Sequence, residues 1–189
     1  MVPRMMIKVV IAVLAILFFA APVSRNVLAG ETPQVNRARI IREIQHELRM
    51  MPYYGVFDWI EFEVQPDGAV TLRGKVIHPS TKSEAEARVK DIEGVKSVIN
   101  EIEVLPPSPA DDRLRIALYR TIYGWDSPLF RYAHQATPSI HIIVDRGRAT
   151  LKGIVANRGD AQQAYMRARA VPGLFDVKNE LIVESEMPR

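Results

Sequence analysis

The chain of 189 residues contains no cysteine, so disulfide bonds, zinc–thiolate sites and thiol catalysis are excluded. Its longest apolar run, residues 9–21, has 13 members, fewer than the roughly 20 that a membrane-spanning helix needs. Sequence templates of catalysis are missing as well: there is no His-Glu-x-x-His, Gly-x-Ser-x-Gly or Ser-x-x-Lys motif and no phosphate-binding P-loop. The sequence therefore favours a protein that is not an enzyme, needs no cofactor and shows no sign of a small-molecule substrate.

Charge gives no sign of a nucleic-acid partner. The chain has 25 basic and 22 acidic residues, and the excess lies in Arg4, Lys8 and Arg25, before residue 30. Residues 37–105 hold 10 basic and 12 acidic residues, whereas residues 106–189 hold 12 and 9. The second half is mildly basic, but neither half carries the clustered basic stripe of a nucleic-acid-binding protein.

The first thirty residues have the layout of an export signal. Arg4 and Lys8 precede the apolar run, Pro22 ends it, and the small residue Ala29 stands before Gly30. This order of charged, apolar and small residues is typical of a secretory signal peptide. We expect residues 1–29 to be removed and residues 30–36 to form a flexible lead-in; an uncleaved membrane anchor is the alternative. In both cases the folded part is exported.

The chain contains one strand pattern twice. Residues 70–76 read Val-Thr-Leu-Arg-Gly-Lys-Val, and 79 positions later residues 149–155 read Ala-Thr-Leu-Lys-Gly-Ile-Val. Apolar and polar residues alternate with the period of a strand that is buried on one face, and the glycine falls on the apolar face. Because glycine weakens a strand unless another backbone comes close, we expect a helix to pack directly over Gly74 and Gly153. The same offset relates Gly94 to Gly173 and Asn100 to Asn179, which indicates a tandem repeat.

Each copy predicts the element order α-β-β-α-β. In the first module, residues 37–105, the predicted elements are a helix over 37–50 capped by Asn36, a strand over 60–64, a turn at 66–68, the repeat strand, a helix opened by a capping box at Thr81 and Glu84 and closed by Gly94, and a strand over 95–104. The helix between the last two strands makes them parallel. The fold class is therefore α+β, with a mixed three-stranded sheet and both helices packed on one face.

The second module, residues 111–184, repeats this order after a proline-rich linker at 106–110, and residues 185–189 form a tail. Asp111 is predicted to cap its first helix and Gly124 to end it. A strand follows over 140–144, with a turn at 145–147. Asp160 and Gln163 are predicted to open the second helix, which the pair at 172–173 ends.

Two copies of a hydrophobic–Thr–Leu–basic–Gly–x–Val strand, each followed by a capped helix and a Gly-x-x-x-Val-x-Asn-x-hydrophobic stretch, resemble the BON domains of osmotically inducible and nodulation-type bacterial proteins. The motif residues that carry the resemblance are Gly74, Gly94, Asn100, Gly153, Gly173 and Asn179. The resemblance implies a non-enzymatic module of the periplasm, where some members bind phospholipid surfaces and support envelope integrity under stress. It supplies no motif for the residues that face the lipid.

Polar residues offer little chemistry. The four histidines are scattered and have no partner at metal-ligand spacing, so we expect no metal site. The pairs Glu61/Glu63 and Glu101/Glu103 fall on outward strand positions and indicate a solvated sheet face rather than paired catalytic acids. Asn100 and Asn179 are expected to satisfy the backbone at a bent strand.

The candidate contact surface is the segment after the first helix of the second module. It gathers large apolar side chains and an arginine within eight residues: Trp125, Leu129, Phe130, Arg131 and Tyr132. Trp and Tyr favour the headgroup level of a bilayer, and arginine attracts anionic lipid. The alternative is that these rings cover the core of their own module, as Tyr53, Phe57 and Trp59 are then expected to do in the first. The predicted function is docking on anionic phospholipid or an envelope protein; alternatives are a periplasmic protein–protein interaction module that binds no lipid, and a hydrolase.

Overall fold

A computed structural model describes residues 33–134 and 138–186, which belong to one compact unit, residues 31–189. The first module contains α1 (Pro33–Arg49), β1 (Trp59–Val64), β2 (Ala69–Val76), α2 (Pro79–Lys90) and β3 (Ser97–Val104). The second contains α3 (Pro109–Tyr123), a 3₁₀ helix (Pro128–His134), β4 (Ile140–Asp145), β5 (Arg148–Val155), α4 (Arg158–Arg169), β6 (Asp176–Val183) and a 3₁₀ turn (Glu184–Glu186). The predicted signal peptide lies outside the described residues, and within them no helix is long and apolar enough to cross a membrane.

Both modules contain a mixed three-stranded sheet with the repeat strand in the centre. β1 runs antiparallel to β2, and β3 lies parallel to β2 on its other side. β4, β5 and β6 pair in the same way in a second, separate sheet. Each parallel pair is joined through a helix, because parallel neighbours need a crossover connection. The predicted α+β fold of two α-β-β-α-β modules is confirmed.

The buried face of each central strand carries the core of its module. Val70, Leu72 and Val76 of β2 are completely buried. They form one apolar cluster with side chains of both helices, among them Ile40, Ile44 and Leu48 of α1 and Ala85 and Val89 of α2. The equivalent cluster of the second module contains Ala149, Leu151, Val155, Leu118, Ile122, Ala161, Ala164 and Ala168. Each fully buried Val or Leu contributes roughly 1.5–3 kcal/mol, so the two clusters hold the helices against the sheets.

Both helices of the first module begin earlier than predicted. α1 begins at Pro33, so Asn36 lies inside the helix and residues 33–36 of the predicted lead-in are helical. α2 begins at Pro79 behind the N-cap His78, which places Thr81 in the first turn as a buried side chain. Proline is favoured at the first helical position because its missing N–H has no partner there in any case. The predicted caps at Asn36 and Thr81 are therefore wrong.

The helices of the second module are likewise capped three residues upstream of the predicted positions. The Ser108 hydroxyl accepts the amide of Asp111 at 3.2 Å, and the Asn157 side chain accepts the amide of Asp160 at 3.0 Å. Asp111 and Asp160 consequently occupy the first turns of α3 and α4, where a carboxylate is stabilised by the helix dipole. Their side chains are buried, and because they do not cap the helix they make contacts elsewhere in the module.

Gly74 and Gly153 must lack a side chain because the backbone beside the central strand, and not a helix, occupies the space. Their φ angles are +133° and +117°, a region that residues with a side chain rarely adopt. A Cβ at Gly74 would overlap the carbonyl oxygen of Trp59, and one at Gly153 would overlap that of Ser139. The predicted close approach is present, but the expectation of a helix packed over each glycine is wrong. Gly94 and Gly173, at φ +92° and +93°, lie in the turns beyond α2 and α4 rather than at their caps.

Asn100 and Asn179 make the same two hydrogen bonds in the two modules. The side-chain amide of Asn100 donates to the Lys82 carbonyl at 3.1 Å, and its oxygen accepts the Ile102 amide at 3.2 Å. Asn179 repeats both contacts, with the Ala161 carbonyl at 3.1 Å and the Leu181 amide at 3.2 Å. Each asparagine thus ties an outer strand to the first turn of the helix that precedes it.

Candidate functional site

The predicted contact residues of the second connector, residues 124–134, lie partly on the surface and partly in the core. Trp125 is 88 % exposed and, within the part of the chain that the structure describes, makes no hydrogen bond or ring contact. Phe130 is 39 % exposed and stacks edge-on against His134. Arg131 is exposed, whereas Tyr132 is half-buried. The connector therefore presents two aromatic rings to solvent.

Leu129 belongs to the core and not to this surface. Its side chain is completely buried in the apolar cluster that includes Ile122 and Ile140. A side chain enclosed in this way cannot touch a membrane or a partner while the module is folded. The prediction that Leu129 is a contact residue is corrected: it fastens the 3₁₀ helix to the module.

Asp160 is the residue that positions the second connector. Its carboxylate accepts the Tyr132 hydroxyl at 2.5 Å and the Asn157 amide at 3.0 Å, and it pairs with Arg131. The Tyr132 oxygen in turn accepts the Ala156 amide at 2.9 Å. The hydrogen bond to Asp160 raises the pKa of Arg131. Sequence reasoning assigned Asp160 to helix capping, so this role became visible only in the structure.

The first connector, residues 50–58, is divided between the modules: Met51 and Tyr54 pack on the core of the first module, but Phe57 does not cover it, contrary to the alternative interpretation. Val56 and Phe57 pack against the core of the second module, and the Phe57 ring lies 6.3 Å from that of Tyr119 on α3. The Val56 carbonyl accepts the backbone amide of Ile142 at 2.8 Å, so this segment hydrogen-bonds to β4. The first connector is a strap that joins the two modules.

His141 lies at the centre of this contact. Its Nδ1 lies 2.6 Å from the Asp58 carbonyl oxygen and donates its proton to it, and its ring contacts those of Tyr54 and Trp59 at centroid distances of 5.5 and 5.0 Å. Burial lowers the pKa of His141 and raises that of Asp58. The Asp58 carboxylate accepts the amides of Gly55 and Ile77, which fixes the strap to its own module.

Two ion pairs join the sheets beside the strap. Lys75 of β2 lies 2.6 Å from Asp145 of β4, and Lys152 of β5 lies 2.7 Å from Glu61 of β1. They border an open cleft of about 340 Å³ whose third lysine, Lys178, is paired as well. All three lysines of the cleft are ion-paired, and residues 33–134 and 138–186 contain no group of His, Asp or Glu that could hold a metal ion.

The solved structures similar to this chain include two chains of CdsD, described as a structural protein of the type III secretion system of Chlamydia trachomatis. Both are 15 % identical to this chain. They cover 77 % and 79 % of it, and 92 % and 98 % of their own lengths, with TM-scores of 0.30 and 0.29. The second is described as the C-terminal domain. No curated protein matches the chain.

A family profile described as BON domain matches residues 36–106 and 129–185. The first segment spans the first module from residue 36 within α1, and the second begins at Leu129 and spans the sheet and last helix of the second module. BON domains are non-catalytic interaction modules, and proteins that contain them are typically periplasmic or envelope-associated. Because both matches fall on the repeated modules, the chain belongs to the BON-domain family as a tandem pair.

Proposed function

We propose that the protein is an exported, non-enzymatic envelope module of the periplasm that docks on anionic phospholipid through its second connector and supports envelope integrity. The observation that carries the proposal is the 88 % exposure of Trp125, a ring whose preferred place is the headgroup level of a bilayer. Phe130 stands exposed on the same connector, and Arg120, exposed in the last turn of α3, adds attraction to anionic lipid.

The rigidity of the connector supports the proposal. Asp160 holds Arg131 and Tyr132, and Leu129 is buried, so the segment that bears the exposed rings is ordered before any contact is made. A preordered surface loses less conformational entropy on binding than a flexible loop does.

Co-sedimentation with vesicles tests the proposal. Residues 31–189, one compact unit, are used because the apolar run at 9–21 would itself bind bilayers. Binding to phosphatidylglycerol–phosphatidylcholine vesicles is expected to weaken about tenfold in Trp125→Ala. Arg120→Glu, which reverses a charge, should also weaken binding to the vesicles. Arg131→Glu is unsuitable because it would place a second carboxylate against Asp160. Tyr53→Ala, which removes an exposed ring of the first connector, is the matched control.

Two outcomes would contradict docking through this surface. If Trp125→Ala and Arg120→Glu stay folded and bind like the parent, the second connector is not the membrane site. If the parent itself does not sediment with anionic vesicles, the protein is a protein–protein interaction module without lipid binding.

A further inference from the structure

The hairpin turns of the two modules share one backbone hydrogen bond, although the first turn spans residues 65–68 and the second only residues 146–147. Gly68, at φ +90°, accepts the amide of Lys96 through its carbonyl at 2.9 Å. Gly147, 79 positions later and at φ +75°, accepts the amide of Phe175 at 2.8 Å. The glycine and the residue whose amide it accepts can therefore be compared between the two modules.

Around this glycine the side chains of the two modules differ. Where the first module has Asp67, Ala69 and Lys96, the second has Arg146, Arg148 and Phe175. Phe175 is 80 % exposed, whereas the equivalent position of the first module carries a lysine. Since the shared hydrogen bond needs only the glycine carbonyl and a backbone amide, it does not require an exposed ring at this position. We call Arg146, Gly147, Arg148 and Phe175 the Phe175 tip.

The Phe175 tip is held rigidly. The buried carboxylate of Asp111 accepts the amide of Arg146 at 2.9 Å and that of Gly147 at 2.8 Å. The Phe175 ring lies so close to the turn that a Cβ at Gly147 would come within 2.6 Å of it. The ring is thus fixed in an exposed position by contacts on one side, while its other side faces solvent.

The charges around Phe175 favour an anionic partner. Arg146 has a side chain that is 77 % exposed and lies 3.9 Å from Asp145, whose carboxylate already pairs with Lys75 at 2.6 Å. Arg148 has no ion pair within the described ranges; Asp176 is its neighbour in register on β6. An exposed ring beside two arginines has the chemistry of a contact with an anionic bilayer, in which the ring enters the interface and the guanidinium groups bind phosphates.

We propose that the Phe175 tip is a second membrane contact, which inserts Phe175 into the interface of an anionic phospholipid bilayer. The inference rests on the proposed function and adds a site to it. Asp111 holds this tip from the first turn of α3, whereas Trp125 follows the last turn of the same helix. A helix of 15 residues is about 22 Å long, so the two contacts can be probed separately.

The absence of cysteine allows single labelled sites to be introduced. In residues 31–189 we would place an environment-sensitive nitrobenzoxadiazole label at Phe175→Cys, at Lys96→Cys as the equivalent position of the first module, and at Trp125→Cys. On vesicles with phosphatidylglycerol, labels at 175 and 125 should shift to the blue and brighten, and the label at 96 should not. Vesicles of phosphatidylcholine alone should give a weaker response at 175.

Unlabelled variants remove any contribution of the dye. Phe175→Lys, which installs the residue of the first module at an exposed position, should weaken vesicle binding about tenfold without changing the melting temperature. The double variant Arg146→Asp with Arg148→Ala should weaken vesicle binding further at low salt, and Lys96→Ala should have no effect on binding.

Unchanged binding in Phe175→Lys, or an unresponsive label at 175 while the label at 125 responds, would show that the Phe175 tip is not a membrane contact and would leave the proposed function standing. If the parent does not bind vesicles, both fail; an equal response on neutral vesicles overturns the part assigned to the arginines.

Discussion

At Gly74 and Gly153 the protein keeps a hydrogen atom in place of a side chain because the neighbouring strand leaves no room for more. Both residues combine a positive φ with a backbone carbonyl in the space of a Cβ. The obstacle is main chain, which cannot turn aside as a flexible side chain can. The central strand of each module is therefore intolerant of any substitution at this position.

We expect Gly74→Ala and Gly153→Ala each to lower the free energy of unfolding by about 1–3 kcal/mol, since the new Cβ strains φ and overlaps a carbonyl oxygen. Chemical denaturation of the single variants measures this loss. Gly55→Ala is the matched control, because its Cβ would meet its nearest neighbour at an ordinary 3.8 Å. Equal stabilities of Gly74→Ala and Gly55→Ala would show that the strand can move aside.

The two asparagines allow a comparison between modules. Asn179→Ala and Asn100→Ala each remove a donor and an acceptor that tie a strand to a helix, and each should cost about 1–2 kcal/mol. Asn100→Asp should cost more than Asn179→Asp, because the Asn100 amide also donates to Glu86 at 2.9 Å. Urea denaturation measures the four values, with Gln162→Ala on the exposed face of α4 as the control. If the two aspartate variants lose the same stability, Glu86 plays no part.

At the scale of elements, the 3₁₀ helix owes its position to a residue of another element. Asp160, in the first turn of α4, makes three side-chain contacts, of which Arg131 and Tyr132 belong to the 3₁₀ helix. We expect Asp160→Ala to cost about 2–3 kcal/mol, since hydrogen bonds to a charged group are lost, and to expose the bond after Arg131 to trypsin. Tyr132→Phe, which removes one of these bonds, should show a smaller part of both effects. Unaltered protection of Arg131 in Asp160→Ala would mean that Leu129 alone holds the segment.

The strands could be predicted from the sequence and the helix starts could not, for a physical reason. A strand buried on one face requires alternation, and residues 70–76 show it without ambiguity. A cap requires only one small polar side chain, and Ser108 and Asn157 compete with Asp111 and Asp160, which stand three residues further on. Sequence alone therefore favours the acidic residue as the cap, although its side chain binds another element.

The candidate site could be predicted only where it depends on local sequence. Trp125 and Phe130 were found from composition, and both are exposed. Leu129 was placed among them because spacing alone does not show which side of a 3₁₀ helix faces the core. Phe175 was missed because a single aromatic residue after Pro172 and Gly173 gives no sequence signal until its exposure is known.

At the scale of the whole molecule, contacts between residues far apart in sequence join the modules. Ile142 and Val56 share a backbone hydrogen bond, and His141 binds the Asp58 carbonyl, so the strap ties β4 to the first module. We expect Phe57→Ala to lower the stability of the second module by about 1–3 kcal/mol, although the residue belongs to the first. Hydrogen exchange of the amides of β4 measures the effect, with Tyr53→Ala as the control. Exchange that is unchanged in Phe57→Ala would mean that the strap is not part of the second core.

Mild acid should loosen this contact through His141. Burial lowers its folded-state pKa below the ordinary value of about 6.5, so the unfolded chain takes up a proton first and stability falls as pH decreases below about 6.5. Lys75 and Lys152 lower the pKa of their partners Asp145 and Glu61, and the stability from those pairs is lost only below the ordinary carboxyl values of about 4. The raised pKa of Asp58 acts in the opposite direction, because folding favours its protonated form and acid then adds stability.

A decline between pH 7 and pH 5 therefore reports His141. The free energy of unfolding, measured in urea at pH 7, 6 and 5, should fall in the parent and stay nearly constant in His141→Phe, which keeps an aromatic ring between Tyr54 and Trp59 but has no proton to gain. His46→Gln, on the exposed face of α1, should retain the slope of the parent. A slope in His141→Phe equal to that of the parent would place the acid-sensitive group elsewhere. The loss of the slope in that variant alone would show that the junction of the two modules is the part of the protein that responds to acid.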